Sequence, residues 1–237
     1  KQMLESLRNK KILVVVAHPD DEILGLGGTI NKLVNNYGCE IKVIILGEGI
    51  TSRGNDRKNN HKKDLEIHKS NIEKAKSFLG YQHLEYYDLP DNRFDTIPLL
   101  EIIKIIESEK LKFKPSIVFT HHGGDLNIDH QKTFEAVITS FRPIKGEIVN
   151  TIITFETLSS SEWIPSNDKR KFNPNLFVSL DENNIKSKIN SMESYYFEKR
   201  EYPHPRSPKA IRLRAEMWGV TVGKNFSEAF EIIRTIQ

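Results

Sequence analysis

Ile12-Leu13-Val14-Val15-Val16-Ala17-His18-Pro19-Asp20-Asp21-Glu22 is the stretch on which the reading of this chain turns. Its apolar half reads as a strand, and directly at the end of that strand stand an imidazole and adjacent carboxylates. A metal site would be built there. A second run, Ser116-Ile117-Val118-Phe119-Thr120-His121, is followed in turn by Asp125-Leu126-Asn127-Ile128-Asp129-His130. The arrangement of strand followed by acid and histidine thus occurs twice, which suggests a hydrolase.

Working outward, short β-rich runs at 12–17, 40–46, 83–87, 116–120 and 147–155 alternate with helical patterns at 29–36, 64–79, 97–112 and 131–141. Repeated βα alternation specifies a mostly parallel sheet covered by helices, with right-handed crossovers. In open sheets of that kind ligands sit outside the carboxyl ends of the strands, the edge on which both acid and histidine clusters fall. The stretch 157–175 is polar, carries Pro165 and Pro174 and contains Trp163, which predicts a loop across the mouth of the sheet. A strand at 176–180 follows, then a helix from Asp181, a natural N-cap, to Lys199, and a shorter one at 209–218.

The 237 residues, 38% of them apolar, fit one α/β domain spanning 1–237, with a core sheet over about 11–156 and a C-terminal strand and helices over about 176–237. The longest apolar runs are far shorter than the roughly 20 residues a membrane span needs. The polar N-terminus lacks the apolar centre of a secretory signal, so a cytoplasmic location is expected. The net charge of +3 is slight and the lysines are spread out, which argues against nucleic-acid binding. A lone Cys39 cannot form an intrachain disulfide and reads as a structural thiol. A homo-oligomer is compatible with all of this.

A hydrolytic zinc site needs three nitrogen or carboxylate ligands and an open position for water. His18, Asp21 and His130 supply that set, and Asp20, pointing at the water, is the candidate general base. The competing reading has Asp20 and Asp21 capping a helix and His130 opening another, all doing local work. It accounts for either cluster singly and poorly for two at one sheet edge. Gly25, Gly27 and Gly28, with Glu48 downstream, match a dinucleotide-binding turn badly, because the turn itself is filled by acids that would repel a pyrophosphate. These glycines are expected to let the first helix approach the sheet closely.

Ala17-His18-Pro19-Asp20-Asp21-Glu22 followed by Gly27-Gly28-Thr29 resembles the signature of the PIG-L/LmbE-like zinc-dependent N-acetylglucosaminyl deacetylases. Leu79-Gly80, Pro115, Asp129-His130 and Ser227-Glu228-Ala229-Phe230 are similar to the family's later landmarks, so the likeness runs from about residue 11 to 234. It implies a Rossmann-like three-layer αβα fold with a mostly parallel sheet. It also implies one zinc ion, or another divalent ion such as Fe2+, on the residues matching His18, Asp21 and His130, with Asp20 as the base. The implied substrate is a small acylated amino sugar or sugar conjugate. An amidase acting on a thiol conjugate or other non-sugar acyl amine, and a non-catalytic sugar- or nucleotide-binding protein on the same scaffold, are the alternatives.

The chain departs from the family pattern at two places. Many members carry His-Pro-Asp-His at the second cluster, where the first histidine, paired with the aspartate, acts as acid or oxyanion stabiliser. Here that position is Asn127, beside Asp129; it has no titratable proton but can hydrogen-bond an oxyanion. The leaving amine would then draw its proton from Asp20 or from an imidazole such as His204. Relatives also place an arginine where this chain has His68, and Arg53 is the expected replacement as an anchor for sugar or phosphate. His61, His83 and His121 read as structural or exposed, whereas His122 and Asp125 could support the ion's ligands, and Trp163 could stack on a sugar.

Overall fold

The computed structural model describes residues 2–49, 61–196 and 198–236. Its first strand, β1 (Lys11–Val16), is buried along all but its first residue. Ile12, Val14 and Val16 enter one core cluster while Leu13, Val15 and Ala17 enter another, because pleating sends successive side chains to opposite faces. β2 (Glu40–Gly47) divides in the same way, with Ile41, Val43 and Ile45 against one layer and Ile44 and Leu46 against the other. A continuous apolar run is what a strand covered on both faces requires.

These two strands join β3 (His83–Leu89), β4 (Ile117–His121), β5 (Thr151–Phe155), β6 (Leu176–Leu180) and β7 (Phe226–Thr235) in a sheet ordered β3-β2-β1-β4-β5-β7-β6. All pairings from β3 through β5 are parallel, whereas β7 runs antiparallel to both β5 and β6. After the short α1 (Gln2–Ser6), α2 (Asp21–Tyr37), α3 (His61–Leu79), α6 (Glu182–Ser194) and α7 (Pro208–Thr221) cover one face. α4 (Leu99–Phe113) and α5 (Ile128–Ser140) cover the other. The result is the expected mostly parallel αβα arrangement. Among the described residues, no helix is long and apolar enough to cross a membrane.

Four elements differ most from the sequence reading. The first long helix begins at Asp21 rather than 29, since the acids Asp21 and Glu22 suit a helix N-terminus and the glycines that follow interrupt the helix without ending it. At Leu26, with φ −146° and ψ 22°, the helical geometry breaks. The N–H groups of Gly28 and Thr29 turn instead to the Glu228 carboxylate, at 3.0 and 2.7 Å, and Lys188 Nζ balances that charge at 2.6 Å. β5 starts at Thr151, not 147, and α6 ends at Ser194, not 199. β7 is a strand that the sequence reading left unassigned: its Glu228, which looks like a surface acid, is buried against the break in α2.

The glycines do bring the first helix close to the sheet. A Cβ on Gly25 would lie 2.1 Å from the Phe155 ring of β5, and one on Gly28 2.5 Å from Leu180 of β6.

Candidate active site

β1 has β2 on one side and β4 on the other, so the connections leaving these neighbours diverge and open a crevice beyond their carboxyl ends. His18 leaves β1 into that crevice. Asp20 follows in a left-handed conformation, φ 97°, which a residue other than glycine adopts only where its surroundings hold it there. Asp21 then opens α2, and its Oδ2 accepts the His18 N–H at 2.8 Å. From the other side, Asn127 caps α5 through Asp129 N at 2.8 Å and delivers His130 one turn in.

Asp21 Oδ2 stands 3.5 Å from His18 Nδ1 and 3.3 Å from His130 Nε2. Donors about 2.0–2.2 Å from a tetrahedral ion are about 3.4 Å apart, so these three atoms have the spacing of a zinc ligand set. Their outward-facing atoms fit the same role. His18 Nε2 meets Asp129 Oδ2 at 2.8 Å, and His130 Nδ1 meets Asp125 Oδ1 at 3.0 Å. Each carboxylate claims the ring proton and leaves the inward nitrogen a lone pair, as carboxylates behind metal-ligating histidines do. A second group, His18, Asp91 and Asp129, is also compact enough for an ion. There, however, Asp129 already accepts Asn92 N at 2.6 Å and Phe94 N at 2.8 Å besides His18, so it is better placed as a support.

Charge points the same way. Burial alone would raise the Asp21 carboxyl, yet His130 and His121 hold it well below the usual range. Burial opposes protonation of His130, but Asp21 and Asp125 push that imidazole up to about 9. Buried carboxylates outnumber the imidazoles around them, which is the surplus a cation would neutralise. His121 is not one of the donors: its Nε2 accepts the Ala17 N–H at 3.0 Å and its Nδ1 meets Thr157 Oγ1 at 2.9 Å. Its ring stacks on His130 at 3.9 Å, so it serves as the structural histidine the sequence suggested.

Asp20 Oδ2 accepts from Arg206 Nη1 at 3.0 Å, and the same nitrogen reaches Glu198 Oε2 at 2.5 Å. Burial raises the Asp20 carboxyl well above its ordinary range; Arg206 opposes the shift, and Glu198, Asp21 and Glu22 add to it. A cavity of about 170 Å³ opens over these groups, lined among others by His18, Asp20, Asp91, Asn127 and Arg206.

The residues singled out in the sequence are placed as follows. His18, Asp20 and Asn127 line the cavity, and Asp21 and His130 lie behind it. Asp129, expected among the reacting groups, is fully buried, and its Oδ2 meets the His18 ring at 2.8 Å. His204, offered as a proton donor, is not on the cavity wall, where Arg206 is: its Nδ1 accepts Arg206 N at 3.2 Å and its ring meets Trp163 edge-on. Arg53 and the side chain of His61 lie outside the described residues. His83 pairs with Glu40 at the surface, and His68 is buried with its ring edge toward Tyr195.

Sequence reasoning missed Asp91, Glu198, Arg206 and the serines at 159–161. A signal existed for two of them. Asp91 follows β3 as the other acids follow β1 and β4, and Arg206 immediately precedes Ser207-Pro208, an N-cap and N1 pair that anchors the helix entry.

The family model of PIG-L, GlcNAc-PI de-N-acetylase, matches residues 13–141, more than half of the chain and the part that carries every candidate metal ligand. The chain belongs to the PIG-L family. The PIG-L fold is also found in similar solved structures. N,N'-diacetylchitobiose deacetylase from Pyrococcus horikoshii is 21% identical, with TM-score 0.71 and coverage of 98% of this chain and 89% of that one. The zinc-inhibited form of teicoplanin deacetylase Orf2 is 13% identical, with TM-score 0.73 and coverage of 95% and 98%. GalB, the 4-carboxy-2-hydroxymuconate hydratase of Pseudomonas putida KT2440, is 17% identical, with TM-score 0.68 and coverage of 96% and 98%. Because PIG-L-like folds host both deacetylases and a hydratase, the choice of reaction rests on the site.

Proposed function

We propose that this chain is a metal-dependent hydrolase that removes an N-acetyl or related acyl group from an amino sugar or sugar conjugate. The observation that carries the reading is the convergence of His18 Nδ1, Asp21 Oδ2 and His130 Nε2 beside the carboxylate of Asp20. When bound there, a divalent cation, zinc or alternatively Fe2+, supplies Lewis acidity that polarises the amide carbonyl and acidifies water, from about 15.7 to about 7 in zinc hydrolases.

The chain's own residues do the rest. Asp20 takes a proton from the attacking water; its raised affinity for protons brings it nearer the pH at which a base both exists and pulls effectively. As the water oxygen bonds to the carbonyl carbon, Asn127 donates to the developing oxyanion with the N–H not engaged by Asn92. When the carbon–nitrogen bond breaks, Asp20 returns its proton to the departing amine, so no second imidazole is needed. Arg206 holds Asp20 in place throughout.

A panel of N-acetylated amino sugars and conjugates, with non-sugar acyl amines as comparators, assayed for released acetate tests this reading. Turnover should vanish on chelation and return with zinc. Asp20→Asn should keep its metal and lose about 10²–10⁴-fold in kcat. Wild-type turnover in that variant, or hydration of a substrate without acetate release, would overturn the proposal.

A further inference from the structure

We infer that three successive serines, Ser159, Ser160 and Ser161, form a positioning unit that holds the candidate base and a candidate metal ligand in fixed relation. They follow β5, and their hydroxyls engage two parts of the site. Ser160 Oγ donates to Asp125 Oδ1, and Ser161 Oγ donates to Asp125 Oδ2 at 2.5 Å. Asp125 in turn holds His130 Nδ1. In the opposite direction, Ser159 Oγ accepts from Arg206 Nε at 2.7 Å, and Arg206 holds Asp20. A single tripeptide therefore touches both supports, one for the ion's ligand and one for the carboxylate that activates water.

The loop is built to keep this shape. Glu162 accepts the N–H groups of Ser159 and Ser160 at 2.7 and 3.1 Å, and Ser161 Oγ accepts Thr157 N at 2.8 Å. Ser159 has φ 69°, the left-handed conformation in which a glycine would be more comfortable. The side chain that carries this backbone strain has a partner, since its hydroxyl oxygen meets Arg206 Nε. Three hydrogen bonds from one turn, two to Asp125 and one to Arg206, reduce the freedom of base and ligand to drift apart, the kind of placement on which rates depend steeply.

The inference rests on the deacylase reading for its kinetic arm, and two variants separate the failure of one from the failure of the other. Ser159→Gly removes the hydroxyl and relieves the backbone. The expected result is a Tm equal to or above that of the wild type, unchanged zinc content, unchanged KM and a kcat about tenfold lower. Ser161→Ala should instead weaken zinc affinity about tenfold, measured by competition with a chromophoric chelator and independent of turnover. Wild-type kcat in Ser159→Gly, or a kcat that falls only together with Tm, would overturn the role of Ser159. Unchanged zinc affinity in Ser161→Ala would overturn the link through Asp125. A wild-type protein that binds zinc but turns over no acylated amine would sink the deacylase reading and leave the zinc-affinity arm standing as a separate measurement.

Discussion

The guanidinium of Arg206 sits between two carboxylates, donating through Nη1 to Asp20 Oδ2 at 3.0 Å and to Glu198 Oε2 at 2.5 Å. Asp20, on the turn after β1, is thereby tied to the segment that enters α7, across nearly the whole length of the sequence. Arg206→Ala should lower kcat about 10²-fold while leaving metal content intact. Arg206→Lys should recover only part of the loss, because an ammonium keeps the charge but cannot bond Ser159 and Asp20 from one planar fork. Steady-state kinetics alongside elemental analysis checks both.

Asp125 is fully buried and takes hydrogen bonds from His130, Ser160 and Ser161. Asp125→Asn keeps the volume but weakens its hold on the His130 ring proton. Metal affinity should fall about 10–100-fold, read by competition with a chelator.

A stability dependence on pH is expected from His122. Burial disfavours its protonation, but the hydrogen bond to Glu231 at 3.0 Å, the Arg170 carbonyl and the Glu231 charge raise it above its ordinary value. A group raised in the fold contributes stability that is fully present below its unfolded value, near 6.5, and that is lost as pH climbs through the folded value. His122→Asn should therefore lower Tm by about 2–4 °C at pH 5.5 and by much less at pH 9. Thermal melts of both proteins across that range check the sign.

Gly25→Ala should cost about 1–3 kcal/mol of stability, because the added methyl would fall 2.1 Å from the Phe155 ring, itself fully buried. Denaturant melts measure the loss. A second substitution, Phe155→Leu, should restore part of it if the collision is the cause, which a double-mutant cycle reads directly.

Much of this architecture was legible in the chain. β1 and β4 declare themselves as continuous apolar runs, since strands sheltered on both faces need no polar alternation. His18, Asp20, Asp21 and His130 follow those strands so closely that the crevice they share is implied by the parallel order alone. The serines at 159–161 were not legible, because they reach the site through chain reversals whose end points no periodicity encodes; for Arg206 the helix start at Ser207-Pro208 was the one signal. That Asp129 bonds the His18 ring was not legible either, as adjacency in sequence does not tell which helical face meets the cavity. β7 was overlooked because Ser227 and Glu228 dilute its apolar pattern; those polar atoms are buried for a local reason, the broken turn of α2 that the Glu228 carboxylate completes.

That last contact bears on how the protein comes into being. The helix carrying Asp21 finds the acceptor for its interrupted turn only on a strand encoded some 200 positions downstream, and β5 and β6 are joined through that same strand. During synthesis, neither the finished helix nor the full sheet can form until residues around 228 have left the ribosome, so the helix that carries Asp21 is completed late, and long-range closure sets the pace.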